Sequence, residues 1–423
     1  MREVEVVSIA RSGSAEWANE SGLRPLSAFR SRLLSSTGVA TTLALALIVG
    51  AAAPARADKT YGSNTVTTAG NRLTTPAFLQ GNPVTVTVNS GVSVTGAGAG
   101  VQGGGLAQSA VFNNNGSVTS TISGQNGIDV LGGPVLGSAT YNGGSGSTVT
   151  GANSGINAVG LNATVTINGA LGGGTAVTGN NGDGIIVDAT ATAKVTTTNT
   201  AVTGSNNGIR LDGANNVANL TGGSVTGTNG DGILSDGGAV DVSTSITTNG
   251  TDITGGRNGI NALSVSNTLN LTDGTIIGGS GDGVTTTGLF NSITTDGTTI
   301  RGGENGIAAS GGITTIDLTD GSVEGIAGNG IDVNGVSGNI TTDGTTVTGG
   351  DTGIGVNVLG GVGVVNVENG SVTGTSGDGI AVVSTGAAGL GGVAAVNTSG
   401  TATVDGAENG ISATALGLNM DTL

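Results

Sequence analysis

The sequence contains no cysteine and no histidine among its 423 residues. Without cysteine no disulfide can form, and the usual thiolate and imidazole zinc sites are excluded. Without histidine, nucleophilic catalysis by a Ser-His-Asp or Cys-His arrangement is excluded as well. Stability must therefore come from packing and hydrogen bonding, and any catalysis would have to depend on carboxylates.

Aromatic residues make up only 2% of the chain and charged residues only 9%. An ordinary globular core depends on Phe, Tyr and Trp for much of its buried area, so we expect thin layers of Val, Ile, Leu and Ala instead. Glycine is abundant, with 85 residues, but glycine and the five prolines together stay below the ~25–30% typical of aperiodic disordered chains. The mean hydropathy of +0.20 also favours a chain that buries part of its surface.

Residues 1–57 differ from the rest and have the pattern of a signal peptide. Arg24, Arg30 and Arg32 precede the apolar run 39–53, and Ala55 and Ala57 supply the small residues of a cleavage site. We expect cleavage after Ala57 and export, with an extended signal or a misplaced start explaining the long segment before Arg24. The segment holds six Arg and four Glu, so six basic and 24 acidic residues remain, a net charge of −18. Such a surface repels nucleic acid, which is not an expected partner.

Two short markers recur along the chain and keep the same phase. The first is a Gly followed by Ile or Val, at intervals of 23 to 31 residues. Its glycines are Gly100, Gly127, Gly155, Gly184, Gly208, Gly232, Gly259, Gly283, Gly306, Gly330, Gly353, Gly379 and Gly410. The second is Asn or Asp, then Gly, then Ser or Thr, at 115–117, 249–251, 273–275, 296–298, 320–322, 343–345 and 369–371.

One repeat reads as three short strands joined by three turns. Strand-like residues 298–300 precede a turn at 302–306, then come 307–310, a turn at 311–312 and the run 313–319. Three strands in about 24 residues are typical of one coil of a parallel β-helix, with coils stacked at the ~4.8 Å strand spacing. The sequence therefore predicts an all-β solenoid of about 13 coils of roughly 23–29 residues over 91–423, with 58–90 as an N-terminal cap. The glycines are expected at corners with positive φ or a close backbone approach.

Apolar residues at fixed phase predict two columns inside the solenoid. One column is expected to contain Ile253, Ile277, Ile300, Val323, Val347 and Val372. The other is expected to contain Ile260, Val284, Ile307, Ile331, Ile354 and Ile380.

The residue before each Gly-Ile pair predicts a column of polar side chains. From Asp183 onward it runs Asp183, Asn207, Asp231, Asn258, Asp282, Asn305, Asn329, Thr352, Asp378 and Asn409. No two Asp occupy adjacent coils, which avoids repulsion of about 1 kcal/mol between stacked carboxylates. We interpret this column as an in-register ladder of turns.

Four aspartates of the second marker carry the metal hypothesis. Asp273, Asp296, Asp320 and Asp343 fall in four successive repeats, 23, 24 and 23 residues apart. Stacked in register, their carboxylates would line one edge and could bind a cation such as Ca²⁺, which prefers clustered oxygens. The alternative interpretation is four solvated Asp-Gly turns. No other cofactor is expected.

The signal peptide, the absence of cysteine and the repeated NGI, GDGI and DGT turns resemble the passenger domain of proteobacterial autotransporter adhesins. The resemblance covers about 91–423 and implies a right-handed β-helix at the surface of a Gram-negative bacterium, acting in adhesion or aggregation. The chain departs from the family because it has no room for the aromatic-girdled translocator barrel. The alternatives that would explain the departure are a truncated gene, a barrel on a separate chain, or export by another route.

The leading functional hypothesis is a non-catalytic, secreted or surface-displayed stalk that adheres by many weak contacts. Its expected partners are a host or neighbouring-cell surface, a matrix component or a glycan, together with other copies of the chain. Irregular segments at 131–146 and 384–398 are the expected contact regions. The alternative is that they are only longer loops without a binding role. Two other hypotheses are a carbohydrate-active enzyme that uses two turn carboxylates and ice binding through columns of threonine.

Overall fold

The structure is a computed structural model, and it describes strands 58–61 and 65–68 and residues 84–96, 98–102, 108–133, 136–237, 241–386 and 392–416. These residues form strands and turns, and none of them belongs to a helix. It follows that no described segment is a helix long and apolar enough to cross a bilayer. The expected signal peptide at 1–57 lies outside the described residues.

Every strand pairing within the described part of the chain is parallel, from Asp58 with Thr85 near one end to Ile380 with Ile411 near the other. The strands are β1 Asp58–Tyr61, β2 Thr65–Thr68, β3 Val84–Val88, β4 Ser93–Gly96, β5 Ala99–Gln102, β6 Ala110–Asn114, β7 Ser117–Ser120, β8 Ile128–Leu131, β9 Ala139–Gly143, β10 Thr148–Gly151, β11 Ile156–Asn168, β12 Ala176–Gly179, β13 Ile185–Gly204, β14 Ile209–Asp212, β15 Asn215–Gly227, β16 Ile233–Asp236, β17 Ser243–Asn249, β18 Asp252–Gly255, β19 Ile260–Leu263, β20 Ser266–Thr272, β21 Thr275–Gly278, β22 Val284–Asp296, β23 Thr299–Gly302, β24 Ile307–Thr319, β25 Ser322–Gly325, β26 Ile331–Gly335, β27 Ser337–Asp343, β28 Thr346–Gly349, β29 Ile354–Leu359, β30 Val362–Glu368, β31 Ser371–Gly374, β32 Ile380–Thr385, β33 Val393–Ser399, β34 Thr403–Gly406 and β35 Ile411–Leu416.

The described strands form a parallel β-solenoid of about 12 turns, close to the 13 coils expected. The coil that begins at Thr299 illustrates the plan. Its first face is β23, its second face is 307–310 and its third face is 313–319, the last two being parts of β24. The first corner is 303–306, the second is 311–312 and the third is 320–321. In every other coil, the segments equivalent to these are numbered in the same way, as first, second and third face and first, second and third corner.

Each face pairs with the same face of the next coil, which confirms the predicted parallel β-helix. At the start of the second face, the amide of Ile307 donates to the carbonyl of Gly330 at 3.0 Å, and that of Ile331 donates to Gly353 at 3.0 Å. Strand pairing begins before residue 91, the expected start of the solenoid, because Asp58 already pairs with Thr85.

The interior column of the first face was predicted correctly except at one position. The buried residue of β21 is Ile276, which pairs with Ile253 and Ile300 and is 1% exposed. The expected Ile277 is wrong, because it pairs with Thr254 and Arg301 on the outer side of the strand. A shift of one residue reverses the side of the sheet that a side chain faces.

The second-face column is confirmed, and the third face contributes two interior columns that the sequence analysis missed. The predicted Ile260, Val284, Ile307, Ile331, Ile354 and Ile380 are all fully buried. One additional column contains Ile246, Leu269, Ile293, Ile316, Ile340 and Val365. The other alternates between Thr and a larger aliphatic residue: Thr197, Leu220, Thr248, Leu271, Thr295, Leu318, Thr342 and Val367.

The two glycine markers are required for different reasons. A Cβ on Gly306 would lie 2.5 Å from Cγ1 of Val323 and 2.6 Å from the carbonyl oxygen of Gly330, so this marker allows a close approach of two coils. Gly321, in the second marker, has φ +74, which glycine adopts without strain. At the N-terminal end the assignment of Gly100 to the first marker is wrong. Ala99 pairs with Ile128, so Gly98 is the residue that lies level with Gly127 of the next coil.

Candidate functional site

The first corner contains the predicted ladder of polar side chains, and the structure confirms it. The amide of Asn207 donates to Oδ1 of Asp183 at 2.9 Å, and the amide of Asp231 donates to Oδ1 of Asn207 at 2.8 Å. The same bond joins each later coil to the one before it as far as Thr352, whose amide donates to Asn329. Each side chain thus satisfies a backbone N–H of the next coil, which would otherwise be left unpaired at a buried turn.

Asp231 accepts more hydrogen bonds than its neighbours in this ladder. Its carboxylate is completely buried and receives bonds from Nε of Arg257 at 2.9 Å, from the Asn258 amide at 3.1 Å and from Nδ2 of Asn261 at 3.1 Å. The hydrogen bond to Asp231 raises the pKa of Arg257, because it stabilises the charged guanidinium. Asp183 forms a looser pair with Arg210, at 3.5 Å.

The four aspartates of the metal hypothesis lie at the third corner in two separate columns. Asp296 pairs with Thr272 and Thr319 at the end of the third face, and Asp343 pairs with Thr319 and Glu368. Asp273 and Asp320 lie one position further along, with φ values of +49 and +53. The single column on which the hypothesis depended is therefore not present, because carboxylates in adjacent coils are offset by one residue.

The offset arises because the third corner alternates between two forms. In one form the two corner residues are Asp or Asn and then Gly, as at 273–274 and 320–321. In the other form they are Gly and then a buried Thr, as at 297–298 and 344–345. The Thr residues of the second form include Thr251, Thr298 and Thr345, which are 47 residues apart. The hydroxyl of Thr298 donates to the carbonyl of Leu271 at 2.8 Å.

The corner and the interior alternate together. From Thr197 onward, coils whose corner holds a buried Thr have Thr at the neighbouring interior position, as in the coil of Thr295 and Thr298. Coils whose corner ends in Gly have a larger residue there, such as Leu271 or Leu318. The corner side chain thus takes up interior volume that the aliphatic side chain fills in the next coil.

No group of three or more acidic residues in the described part of the chain is arranged to hold a metal ion. Asp273, Asp296, Asp320 and Asp343 are all exposed, as solvated turns would be. Calcium binding at these residues stays a prediction.

Asp332 and Asp241 are two carboxyl groups with raised pKa values. Burial raises the pKa of Asp332, and the nearby Asp282 adds to the rise, while hydrogen bonds from Asn329 and Asn334 oppose it. The two oxygens of Asp332 accept from Asn329 at 3.1 Å and from Asn334 at 2.7 Å. Asp282 accepts from the amide of Asn305 at 3.0 Å and is a member of the ladder. Asp282 thus serves as a turn acceptor and Asp332 accepts from two asparagine side chains, and glycosidic-bond cleavage by such a pair stays a prediction.

Asp241 is the second of these groups and lies inside the solenoid, 5% exposed. Burial raises its pKa, opposed by hydrogen bonds from Ser264, Gly237 and Asn216, while Asp236 adds to the rise. Ser264 also bonds Thr244, which bonds Ser235. Among the described residues, the Oδ1 atom of Asp241 has no hydrogen-bond partner. The sequence analysis missed this network because Ser and Thr are common on every face.

The outer side of the first face presents an unbroken column of threonine, whose residues the sequence analysis did not identify. Seven successive coils place Thr at one register position. They are Thr95, Thr119, Thr150, Thr178, Thr203, Thr226 and Thr254, and each is half-buried. Hydroxyl groups on one strand face are therefore repeated at the ~4.8 Å spacing of the coils.

The two irregular segments expected to make contacts are largely part of the solenoid. Within 131–146, strand β9 pairs with β6, and Tyr141 is fully buried against Phe112 with ring centroids 6.2 Å apart. Burial raises the pKa of Tyr141, whose hydroxyl accepts from Nδ2 of Asn114 at 3.2 Å. Within 384–398, strand β33 pairs with β30, and 387–391 lie outside the described residues.

No protein-family model, curated protein or solved structure matches this chain. The fold and the surfaces described above are therefore the basis for any functional assignment.

Proposed function

We propose that the chain is a non-catalytic β-solenoid stalk, exported and displayed at the cell surface of a Gram-negative bacterium, that adheres through many weak contacts. The observation that carries the proposal is the column of seven threonines on the first face. Each coil offers a ligand a threonine at the same register position and on the same side of the sheet. A partner with repeating polar groups, such as a surface glycan or a matrix polymer, can then bind several coils at once, and avidity multiplies modest affinities.

The composition of the neighbouring outer column supports a flat contact surface. It contains Ser93, Ser117, Thr148, Ala176, Ala201 and Ser224. These six are small, so a partner can approach the threonine column along six coils without steric obstruction, whereas the seventh coil carries Asp252 at this position. The resemblance to autotransporter passenger domains points to the same kind of function.

Adhesion can be tested with the purified protein on immobilised cells, matrix proteins and polysaccharides. Replacing Thr178 and Thr203 by Val removes two adjacent hydroxyls while keeping the shape of the side chains. We expect a loss of apparent affinity of about tenfold or more, since each hydrogen bond contributes about 1 kcal/mol before avidity. The matched control replaces Thr348 and Thr373 by Val, because this pair lies on the same face beyond the run. Absence of binding to every surface, or equal effects of the two pairs, would contradict the proposal.

Ice binding is a second candidate function, and the regularity of the same column favours it. A lattice of ordered water requires hydroxyl groups at constant spacing, which seven threonines in register provide. The neighbouring column is less suited to this role, because Ala176 and Ala201 carry no hydroxyl. Thermal hysteresis of the purified protein measures this activity, and replacing Thr178 by Leu would abolish it. A freezing point equal to that of a matched buffer would eliminate this candidate.

A further inference from the structure

The second corner carries a continuous row of exposed apolar side chains, which we call the apolar ridge. It consists of Val265, Leu289, Phe290, Ile313, Val336, Leu359 and Val362, each between 41% and 67% exposed. Five successive coils contribute to it, so the ridge is roughly 20 Å long at the spacing of stacked strands.

The residues of the ridge are adjacent in space because two register positions alternate along it. Phe290 pairs with Ile313, and Ile313 pairs with Ser337, one residue after Val336. The amide of Phe290 donates to the carbonyl of Val265 at 3.0 Å, which joins the first two coils of the ridge directly. The apolar surface therefore passes from coil to coil without interruption.

The ridge lacks charge, whereas the other two corners of the same coils are acidic. Residues 263–266, 287–292, 310–313, 334–337 and 357–364 contain no Asp, Glu, Lys or Arg. The first corner of these coils holds Asp282, Glu304 and Asp351, together with Arg257, whose charge is paired with Asp231. The third corner holds Asp273, Asp296, Asp320, Asp343 and Glu368.

This distribution of charge determines how two copies can approach. The net charge of −16 makes the molecules repel one another wherever acidic corners meet. At the second corner no carboxylate has to be desolvated or brought close to another. A second copy can therefore bury its apolar surface there without a large electrostatic cost.

The area of the ridge is sufficient for a weak and specific contact. Seven half-exposed aliphatic and aromatic side chains expose on the order of 400 Å² of apolar surface, at ~100 Å² for each complete side chain. The largest apolar patch of a typical monomer is ~300–600 Å² and is often functional. A stable interface buries ~800 Å² on each partner, so the ridge would be the apolar centre of a contact completed by the flanking Thr, Ser and Asn.

We propose that the apolar ridge is a homotypic interface, through which two copies of this chain associate side by side. Both copies use the same patch, as in a closed twofold contact. The inference goes beyond the proposed function and does not rest on it, because pairing of stalks requires no other ligand.

Sedimentation equilibrium of the purified protein up to about 100 µM tests the interface, since contacts of this size reach micromolar affinities. We expect a concentration-dependent rise in mass from one copy toward two. Dimerisation should strengthen as salt is raised from about 50 mM, because screening weakens the repulsion between acidic corners and leaves the apolar contact intact.

Replacing both Leu289 and Phe290 by Ser should weaken dimerisation on the order of 100-fold. Ile326→Ser is the matched control, since Ile326 is 46% exposed but lies at the first corner, and it should leave dimerisation unchanged. Val336→Ser provides a second variant in another coil, should the double variant fold poorly, and is expected to weaken dimerisation about tenfold.

Several results would overturn the interface. They are a single-copy mass at every concentration, equal weakening by Ile326→Ser, and dimerisation that is lost as salt is raised. Binding to phosphatidylcholine vesicles without self-association would assign the ridge to a lipid surface instead. Adhesion through the threonine column is measured separately with Thr178 and Thr203, so either proposal can fail alone.

Discussion

Arg257 reaches back one coil and places its Nε 2.9 Å from Oδ1 of Asp231, a carboxylate with no solvent exposure. The same Oδ1 atom accepts the amide of Asn258 and thereby continues the ladder of the first corner. Asp231 is thus both an ion-pair partner and a backbone acceptor. Substitutions can separate the two roles.

We expect Asp231→Ala to lower the free energy of unfolding by about 3 kcal/mol, because it leaves several buried donors without an acceptor. Asp231→Asn keeps the ladder acceptor at Oδ1 but loses the charge and the Oδ2 acceptor of Asn261 and Arg257, so the expected cost is about 1–2 kcal/mol, less than that of Asp231→Ala. Arg257→Ala should cost less than about 1 kcal/mol, since the arginine side chain is 54% exposed. Urea unfolding of the three variants measures these differences. Equal costs for Asp231→Ala and Asp231→Asn would refute the role of the ladder.

Asp241 should make the stability of the protein depend on pH. Burial raises the pKa of its carboxyl above the ordinary value of 3.8, so the folded state binds this proton more tightly than the unfolded state does. The contribution of Asp241 to stability therefore decreases as pH rises from about 4 through the raised pKa of the folded state. Asp241→Asn should remove this decrease, leaving a variant that loses less stability between acid and neutral pH than the parent.

The melting temperature of Asp241→Asn and of the parent, measured between about pH 4 and pH 8, checks this prediction. Asp296→Asn is the control, because Asp296 is exposed at the third corner and its substitution should leave the pH profile nearly unchanged. If the melting temperatures of Asp241→Asn and the parent changed in parallel with pH, Asp241 would not be the source of the pH dependence.

The sequence was sufficient to predict the solenoid because its information is periodic. Gly306 and Ile307 recur with their equivalents in each coil from Gly127 to Gly410, and a coil of this length can stack only when these residues coincide. The ladder from Asp183 onward was predictable for the same reason, since each member directly precedes a residue of the marker.

What the sequence did not reveal depends on register at the level of one residue. Ile276 and Ile277 are equally apolar, and only the pairing of β21 with β18 determines which of them faces inward. Asp273 and Asp296 share the same tripeptide, yet one follows the end of its strand and the other completes it. The alternation of Leu271 with Thr295 was hidden because its period extends over two coils.

The register of β21 predicts unequal effects of truncating its two isoleucines. Ile276→Ala creates a cavity in the interior column and should lower the free energy of unfolding by about 2–4 kcal/mol. Ile277→Ala removes a side chain on the outer face and should cost less than about 1 kcal/mol. Chemical unfolding of the two variants under the same conditions gives the comparison. The opposite order would mean that β21 is shifted by one residue.

The alternating third corner predicts that a side chain at Gly344 clashes with Asp320 of the preceding coil. A Cβ on Gly344 would lie 2.4 Å from Oδ1 of Asp320, at a φ of +66. Gly250 has a similar φ of +62, but no atom lies within 4 Å of the position of its Cβ. We therefore expect Gly250→Ala to cost about 1 kcal/mol, from backbone strain alone, and Gly344→Ala to cost about 2–3 kcal/mol.

Removing the neighbouring side chain should relieve the additional cost at Gly344. Asp320→Gly clears the space above Gly344 and is compatible with the positive φ of Asp320, which is +53. In this background Gly344→Ala should cost about as much as Gly250→Ala, which corresponds to a coupling of about 1–2 kcal/mol between the two positions. A double-mutant cycle by urea unfolding measures the coupling. If the two changes were simply additive, the alternation of Asp-Gly and Gly-Thr corners would not result from contact between adjacent coils, and the 47-residue period would need another cause.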